Sequence, residues 1–319
     1  MTGRRMFRTA ILGAGGFLGA YLTRELLASD HEVLAVTRPG GSEWRLAGLA
    51  CATAAADLAD IDALRSLLRE FRPQSIVNLA WSGVANTHHD DPAQTGNVAM
   101  TVQLVALAAE LGLICFVGVG SQAEYGPQNR ILRESDELRP TTHYGRAKAD
   151  AGREAARLCA DSGMRFAWLR VFSTYGAMDN GKWLIPMAIS RLLHGEPVPL
   201  TGCEQGWSFL HARDTATAIR TVVEHDEAEG VFNLGHPEAP PLKETLIRLR
   251  DLVDPHGILD FGRLPYGPNQ VMLLQPDIHR LHRLGWQPKV DLDAGLRETV
   301  RWFTDRPAPH GLPLGLQQT

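Results

Sequence analysis

The chain has 319 residues, of which 44% are hydrophobic and 21% are charged; these proportions are typical of a globular protein and exclude disordered, collagen-like and coiled-coil chains. Its formal net charge of −4 leaves no basic excess for a phosphate backbone, so we expect no nucleic-acid partner. No apolar run is long enough to span a membrane, and the N-terminus lacks the pattern of a signal peptide. The widely spaced cysteines predict free thiols in a cytoplasmic protein, with a structural disulfide as the alternative.

In the first half of the chain, short apolar runs alternate with helical patterns. We predict strands at 9–12, 32–37, 75–80, 113–118 and 165–171, and helices at 17–29, 61–71, 97–111 and 144–162. This alternation predicts βαβ units, and the fully apolar strands predict a parallel sheet that is covered on both faces. We therefore expect an α/β fold of the doubly wound Rossmann type.

After residue 172, glycine and proline become frequent and the apolar runs shorten. We predict a dinucleotide-binding domain at 1–172 and a smaller, loop-rich region at 173–319 that mainly binds substrate, with 207–235 returning to the first domain. Within the second region we expect a helix at 214–225, a strand at 230–234 and a final helix at 292–302. The tail at 306–319 is predicted to be irregular.

A glycine-rich turn links the first predicted strand to the first predicted helix. Residues 9–19 read TAILGAGGFLG, with glycines at 13, 16 and 19. Glycines in such a turn let the backbone approach a pyrophosphate, and the helix N-terminus supplies N–H donors and a positive dipole end. We expect Gly13, Gly16, Phe17 and Leu18 to bind a dinucleotide.

The end of the second predicted strand indicates which dinucleotide binds. An NAD site usually carries an Asp or Glu there to bind the ribose 2′-hydroxyl, whereas this chain has Thr37 and Arg38. An arginine pairs with a 2′-phosphate, which a carboxylate would repel. The sequence therefore favours NADP(H), with NAD(H) as the alternative if Arg38 is a solvated loop residue.

Residues 144–148 read YGRAK and fall in a predicted helix, where positions four apart lie on one face. The Lys148 ammonium should therefore lie near the Tyr144 phenol and lower its pKa from about 10. Ser121 follows the predicted strand at 113–118 and is placed to hydrogen-bond a substrate oxygen beside the phenol. These three residues are the candidate catalytic group, and the alternative is a surface Tyr and Lys.

Together these motifs resemble the extended short-chain dehydrogenase/reductase family, which includes nucleotide-sugar epimerases, dehydratases and ketoreductases. The likeness covers nearly the whole chain and rests on GAGGFLG at 13–19, NLA at 78–80, GSQAEYG at 120–126, YGRAK at 144–148, FNLG at 232–235 and LGWQP at 284–288. It implies an enzyme in which Tyr144 is the general acid in reduction, Lys148 holds the nicotinamide ribose and Ser121 polarises the carbonyl.

The same resemblance implies further residues that bind the cofactor. Asp57 and Leu58 would contact the adenine, and Asn97 would help to position the active site, although Asp57 and Asn97 could each cap a helix instead. The other implied cofactor contacts are Leu79, Ala80 and Val171. The resemblance also implies a homodimer that pairs through the two helices at 97–111 and 144–162.

The residues after Ser121 bear on the reaction. Sugar dehydratases of the family carry an Asp-Glu pair there, and this chain has Gln122 and Ala123, so we expect no dehydration. Because NADPH is consumed once per turnover, we expect a ketoreductase, and by resemblance its substrate is a nucleotide-linked 4-keto-6-deoxy sugar. The alternatives are an epimerase that retains NAD and, in another class, a non-catalytic sensor that binds NADP.

Two departures from the family pattern affect the substrate site. Trp207 and Gly267 stand where the family usually has arginines that pair with the pyrophosphate of a sugar nucleotide. Their loss predicts weaker binding of that dianion unless another cation compensates, or else a substrate without a nucleotide. The predicted substrate contacts are Trp81, Ser121, Gln122, Ser173, Lys182, Trp207 and His211. We expect no metal site, since the histidines at 88 and 89 have no third ligand at a zinc spacing.

Overall fold

The computed structural model describes residues 7–305, and their order of elements follows the predicted alternation. The strands are β1 (Arg8–Leu12), β2 (Glu32–Thr37), β3 (Ala52–Ala55), β4 (Ser75–Asn78), β5 (Cys115–Ser121), β6 (Ile131–Leu132), β7 (Arg165–Val171), β8 (Ser173–Tyr175), β9 (Val198–Pro199), β10 (Gly206–Trp207), β11 (Phe209–His211), β12 (Gly230–Leu234), β13 (Leu259–Asp260) and β14 (Leu273–Pro276). The α-helices are α1 (Phe17–Ala28), α2 (Ile61–Phe71), α3 (Thr95–Glu110), α4 (His143–Ser162), α5 (Leu184–Leu193), α6 (Ala212–Glu224), α7 (Leu242–Val253), α8 (His279–Arg283) and α9 (Leu292–Thr304).

Seven strands form one parallel sheet in the order β12-β7-β5-β4-β1-β2-β3. The chain builds outward from β1 to β3 and then returns to the other side of β1 with β4. The sheet therefore has a topological switch point between β1 and β4, where the carboxyl ends of the strands open a crevice for a ligand. The α/β, doubly wound prediction is confirmed.

Apolar side chains cover both faces of this sheet. On one face, Leu22 of α1 and Ile219 of α6 belong to a buried layer. On the other, Leu64 of α2 and Leu104 of α3 belong to a second buried layer, together with residues of α4. Strands that are buried on both faces need apolar side chains at successive positions, which is why their sequence runs were fully apolar.

Two strand boundaries differ from the prediction in the region of the crevice. β5 continues to Ser121, so this serine ends the strand instead of following it. β4 ends at Asn78, because the Asn78 side chain accepts a hydrogen bond from the Ala80 N–H at 3.1 Å and begins a turn. Leu79 and Ala80 therefore lie in a turn at the switch point.

The region after residue 172 is more helical than its composition indicated. The helices α5 and α7 were not predicted, and with α9 they enclose a third apolar cluster that includes Leu246 and Leu296. Pro186 is the third residue of α5, where its missing N–H costs no helical hydrogen bond. β12 pairs with β7 in the main sheet. The division of the chain into two domains stays a prediction.

Only some of the remaining predictions concern residues that the structure describes. The tail predicted to be irregular lies outside the described residues. Within residues 7–305, none of the helices combines the length and apolar character that a membrane crossing requires. The four cysteines are free thiols.

Candidate active site

The glycine-rich turn connects β1 to α1 at the switch point. Gly13 has a φ of 85°, and a Cβ built there would lie 2.9 Å from the Ala80 backbone nitrogen, so both conformation and space require glycine. The N–H groups of Gly13 and Ala14 donate to the Val36 carbonyl at 3.0 and 3.1 Å. These contacts anchor the turn between β2 and the end of β4.

The turn leaves an anion-binding end on α1. Gly16 is the N-cap residue, with an extended backbone and no side chain that caps the helix. The first N–H groups of a helix have no partner within it, and no side chain caps those at the start of α1. A close-packed glycine backbone next to an uncapped helix end fits the pyrophosphate of a dinucleotide.

The end of β2 borders the same turn. A Cβ at Gly15 would lie 3.4 Å from Thr37 Cγ2, and the Thr37 hydroxyl donates to Glu43 Oε1 at 2.7 Å. The Arg38 side chain is exposed. A cation and a carboxylate therefore both stand near the position where the adenosine ribose is expected. Only Arg38 was predicted at this position, and Glu43 is an additional charged residue that the fold brings beside Thr37.

Asp57 and Leu58 follow β3. Asp57 is exposed and accepts a hydrogen bond from the Ala59 N–H at 3.0 Å. The alternative role of Asp57 as a helix cap is wrong, because α2 is capped by Asp60, which accepts from the Ala63 N–H at 3.0 Å. Contact of Asp57 and Leu58 with the adenine stays a prediction.

The structure brings Ser121, Tyr144 and Lys148 together. A side-chain hydrogen bond joins Ser121 to the Tyr144 phenol. One helical turn after Tyr144, Lys148 Nζ lies 5.8 Å from the centroid of the phenol ring and donates to the Val119 carbonyl at 2.6 Å. Val171, at the end of β7, lies in register with Ser121 on the neighbouring strand. The candidate catalytic group thus stands where the carboxyl ends of β5 and β7 meet α4.

Burial decides the ionisation of this group. Tyr144 is 8% exposed, and burial raises the pKa of its phenol to about 12, against the smaller lowering effect of the Ser121 hydrogen bond. Lys148 is 4% exposed, and burial lowers the pKa of its ammonium to about 7. The expectation of a Tyr144 pKa below its ordinary value is therefore wrong for this structure, because loss of hydration has the largest effect on the phenol. At neutral pH the phenol is protonated.

Two aromatic side chains from the loop after β4 enclose the phenol and the ammonium. The His89 ring stacks on Tyr144, with centroids 4.3 Å apart and planes 4° apart. The Trp81 ring meets Tyr144 edge-on at 6.1 Å, and Lys148 Nζ lies 3.6 Å from the Trp81 centroid. Trp81 was predicted to contact substrate, and here Lys148 occupies one face of its ring. The stacking of His89 was missed, since only the fold brings that loop to α4.

On the opposite side, a buried ion pair supports Ser121. Glu124 is 1% exposed, and its carboxylate accepts from the Ser121 N–H at 2.9 Å, Trp168 Nε1 at 3.0 Å and Arg170 Nε at 2.7 Å. Ser121 Oγ in turn accepts from the Ala123 N–H, which completes a capping box. The Ser-x-x-Glu spacing at 121–124 was the available signal for this contact. The Glu124 carboxylate thus points into the core.

Asn97 holds the loop after β4 and does not cap a helix. It lies in the first turn of α3, where its Oδ1 accepts from the Ser82 N–H at 2.9 Å and its Nδ2 donates to the Ser82 carbonyl at 3.1 Å. The two bonds clamp the loop just beyond Trp81. The alternative role as a cap is therefore wrong, and the positioning role implied by the resemblance agrees with these contacts.

Four of the predicted substrate residues lie on strands or loops that follow the main sheet strands in the chain. Trp207 Nε1 donates to Ser173 Oγ at 2.7 Å, which links β10 to β8. Gln122 is half-buried and begins the short turn after Ser121. Lys182 is exposed in the loop before α5. Contact of these residues with a substrate stays a prediction.

His211 lies inside the protein. It is 1% exposed, its ring meets Tyr21 and Tyr175 edge-on, and its Nδ1 accepts from the Arg213 N–H as the cap of α6. Burial lowers the pKa of the imidazole to about 4, so it is neutral at pH 7. Almost none of the His211 ring is thus exposed, which argues against its predicted contact with a substrate.

Over residues 7–305, no group of three or more His, Cys, Asp or Glu side chains is arranged to hold a metal ion. His88 is exposed, and His89 packs on Tyr144 with its Nε2 3.0 Å from the Val84 carbonyl oxygen. The two neighbouring histidines therefore have separate surroundings.

The chain is similar in sequence and in fold to several known proteins. A dTDP-6-deoxy-L-talose 4-dehydrogenase (NAD(P)(+)) from Kitasatospora kifunensis is 29% identical over 322 residues, which are 95% of this chain and 96% of that protein. UDP-glucuronic acid decarboxylase 1 from Arabidopsis thaliana is 24% identical over 324 residues, 95% of this chain and 71% of that protein. The fold is similar to that of UDP-glucose 4-epimerase from Thermotoga maritima, solved with UDP-glucose, with a TM-score of 0.86 at 20% identity over 93% of this chain and 99% of the other.

The family model for NAD-dependent epimerases and dehydratases matches residues 9–235. That range contains the glycine-rich turn, the end of β2, Ser121 and the Tyr144–Lys148 pair. The matched segment is more than half of the chain, and it includes every residue of the candidate catalytic group. The chain is therefore an enzyme that belongs to the NAD-dependent epimerase/dehydratase family.

Proposed function

We propose that this protein is an NADPH-dependent ketoreductase that reduces the keto group of a nucleotide-linked 4-keto-6-deoxy sugar. The observation that carries the proposal is the Ser121–Tyr144–Lys148 group where the carboxyl ends of β5 and β7 meet α4, in which burial keeps the phenol protonated at neutral pH. A protonated phenol that is hydrogen-bonded to a serine is suited to give its proton to a carbonyl oxygen.

Reduction needs a proton on the substrate oxygen and a hydride on its carbon. When bound, the reduced nicotinamide supplies the hydride and is itself oxidised. Tyr144 donates its phenolic proton to the oxygen as the carbonyl becomes an alcohol, and Ser121 hydrogen-bonds the same oxygen. Lys148 lies 5.8 Å from the phenol ring, where its ammonium form stabilises the phenolate that is left.

The side chains around Ser121 do not favour an elimination. Loss of water from a sugar needs an acid and a base beside the reacting carbons, and the next two positions are Gln122 and Ala123. The nearest carboxylate along the chain, Glu124, is paired with Arg170 in the core. This group can therefore protonate an oxygen, but it has no second acid–base pair for dehydration.

We infer the substrate class from the dTDP-6-deoxy-L-talose 4-dehydrogenase, whose alignment covers nearly the whole of both proteins. Its name describes a 4-dehydrogenase of a nucleotide-linked 6-deoxy sugar, which is the reverse of the proposed reduction. The absence of arginine at Trp207 and Gly267 removes two cations from the expected pyrophosphate site, and each charged hydrogen bond is worth roughly 1.5–3 kcal/mol. Lys182 is exposed and is our candidate for a compensating cation.

The choice of NADPH rests on Arg38, which is exposed at the end of β2, while Glu43 opposes it from beside Thr37. We expect Arg38→Ala to weaken NADPH binding at least about tenfold, since a charged hydrogen bond is worth roughly 1.5–3 kcal/mol, and to leave NADH binding nearly unchanged. Glu43→Gln should strengthen NADPH binding relative to NADH. The Kd values from fluorescence titration decide; an unchanged NADPH-to-NADH ratio in Arg38→Ala removes this argument.

The reaction itself is tested by following NADPH absorbance with a panel of TDP-, CDP-, UDP- and GDP-linked 4-keto-6-deoxy sugars. The wild-type protein should oxidise NADPH with at least one member. Tyr144→Phe should lose about 10²–10⁴-fold in kcat while it binds NADPH with the same Kd, since only the proton donor is removed. Full turnover by Tyr144→Phe would refute the assigned role.

An epimerase that retains NAD is the second candidate. Two observations favour it: the Glu43 carboxylate beside Thr37 is suited to bind a ribose 2′-hydroxyl, and the fold is close to that of a UDP-glucose 4-epimerase. Such an enzyme returns the hydride to its substrate. Purified protein that carries one NAD per chain, and that interconverts sugar nucleotides without net NADPH oxidation, would establish it in place of the reductase.

We also propose a cytoplasmic homodimer. The free thiols support a reducing compartment, and α3 and α4 lie side by side with outward faces that carry small and polar residues. Pairing of these two helices with their symmetry mates would form a four-helix interface. Light scattering on the purified protein should give twice the 35.0 kDa of one chain, and a monomer mass would exclude the dimer.

A further inference from the structure

Gln94 lies in the turn before α3 and is 2% exposed, so both ends of its amide need partners inside the protein. All four hydrogen bonds available to that amide are made. Its Nε2 donates to the carbonyl oxygens of Gly83 at 2.7 Å and His88 at 3.1 Å. Its Oε1 accepts from Trp81 Nε1 at 2.8 Å and from Asn97 Nδ2 at 3.1 Å.

These bonds reach both ends of the loop at 81–91. Trp81 and Gly83 open the loop, and His88 directly precedes His89 near its close. Gly83 has a φ of 74°, and a Cβ there would lie 2.7 Å from Gln94 Nε2, so the loop backbone packs directly on this amide. The described structure shows no strand pairing for this loop, and the Gln94 side chain joins its two ends. His89 Nε2, 3.0 Å from the Val84 carbonyl oxygen, adds a second link across the loop.

The aromatic rings of this loop are the ones that contact the proton-donating group. Trp81 lies over the Lys148 ammonium at 3.6 Å, and the His89 ring lies on the Tyr144 ring at 4.3 Å. The His89 carbonyl also accepts the Tyr144 N–H at 2.8 Å. Gln94 is therefore linked to Lys148 by one intervening residue, Trp81. It is linked to Tyr144 by the hydrogen bond to the His88 carbonyl and by the neighbouring His89 ring.

We propose that Gln94 is a positioning residue, which holds the Trp81 indole over Lys148 and the His89 ring against Tyr144 and so sets the surroundings of the proton donor from outside the crevice. The catalytic meaning of this inference rests on the proposed function. The hydrogen bonds themselves do not depend on it.

The groups around Lys148 determine what the loss of Gln94 should do. Glu124, in the turn after β5, is the charged group that acts on the ammonium, and it raises the pKa. From the loop and from α4, Trp81, His89 and Tyr144 are neutral at pH 7; burial lowers the pKa of His89. Burial is the main cause of the low pKa of Lys148, and the Trp81 ring covers its Nζ. Release of that ring should hydrate the ammonium and raise its pKa.

The test uses the small number of lysines in the chain, which are Lys148, Lys182, Lys243 and Lys289. Protein labelled with ¹³C-lysine gives one Cε resonance for each, and the resonance of Lys148 is assigned from its loss in Lys148→Arg. We expect the titration midpoint of Lys148 to be near 7 in the wild-type protein and at least about one pH unit higher in Gln94→Met. Gln103→Met, at an exposed glutamine within the helix that follows Gln94, is the matched control and should leave all four midpoints unchanged.

An unchanged Lys148 midpoint in folded Gln94→Met overturns the proposal. If Gln94→Met does not fold, Trp81→Phe replaces it, because this change removes the indole N–H that Gln94 accepts and keeps an aromatic ring over the ammonium. A smaller rise of the Lys148 midpoint is then expected, and no rise overturns the proposal.

The inference and the proposed function can fail separately, since the titration needs no substrate. Where a sugar of the panel is reduced, Gln94→Met should lower kcat more than it raises the KM for NADPH and should move the pH profile of kcat. If no protein, wild type included, oxidises NADPH, the proposed function fails while the Lys148 midpoints still decide the role of Gln94.

Discussion

The Tyr144 phenol lies between two supports of different chemistry. On the sheet side, Ser121, Glu124 and Arg170 form what we term the charged support, in which a buried carboxylate binds both a backbone N–H and a guanidinium. On the loop side, Trp81 and His89 form the aromatic support, whose polar contacts are neutral hydrogen bonds. Both supports are buried or half-buried, and both end on the same phenol.

The difference shows how a fold can hold one proton donor with two kinds of interaction. A buried ion pair is costly to break, since removal of one partner leaves the other charge without compensation. Aromatic and amide contacts are individually weaker, about 0.5–1.5 kcal/mol each. The charged support is built on β5 and β7, which the main sheet orders. The aromatic support is built on a loop, where it depends on Gln94 and Asn97.

The largest effect is expected from breaking the charged support. Glu124→Gln removes the carboxylate that faces Arg170, so a buried guanidinium is left unpaired, and we expect the free energy of unfolding to fall by about 3–5 kcal/mol. Urea denaturation measures the change. The control is Glu154→Gln, which breaks an exposed ion pair with Arg157 and should cost less than about 1 kcal/mol. Equal losses of unfolding free energy in the two variants would show that the buried ion pair stabilises the fold no more than the exposed one.

The next effect depends on pH and concerns the Lys148 ammonium, which is buried and covered by the Trp81 ring. The pKa of Lys148 is about 7 in the folded protein and 10.5 for the ordinary side chain, so between these values the unfolded chain binds the extra proton. The stability contributed by this site therefore rises with pH in that window, by up to about 1.4 kcal/mol per pH unit, and Lys148→Met abolishes the dependence.

Stability curves of both proteins from pH 6 to pH 10 check this prediction. The free energy of unfolding of Lys148→Met should exceed that of the wild type by most at the acidic end. This difference should become smaller as the pH rises toward 10. Tyr144 does not confuse the comparison, because its pKa is raised to about 12 and the residue is present in both proteins. A gap that stays constant with pH would mean that Lys148 is not held in a dehydrated position.

The smallest effect is expected from the aromatic support. His89→Ala removes the ring that stacks on Tyr144 and should lower the free energy of unfolding by about 0.5–1.5 kcal/mol. His88→Ala alters the exposed neighbour and should change it by less than about 0.5 kcal/mol. Thermal or urea unfolding of the pair gives the comparison. Identical values for the two histidines would contradict a stabilising stack.

Several features of the site follow from residues that are close together in the chain. The TAILGAGGFLG run predicted a turn that needs glycine at position 13, and the structure gives that position a φ of 85°. The four-residue spacing placed Tyr144 and Lys148 on one helical face. The Ser-x-x-Glu spacing at 121–124 also carried a usable signal, since a capping box is a local pattern.

The amino-acid sequence by itself determined the alternation of strands and helices, the glycine-rich turn and the pairing of Tyr144 with Lys148, because these depend on periodicity and on short spacings. Tertiary structure alone decided that burial raises the pKa of the phenol and lowers that of the ammonium. It also decided that Trp81 and His89 enclose them and that Glu124 turns into the core. The physical reason is that hydration and long-range contact are properties of the packed chain, and no local pattern records which distant segment will displace the water.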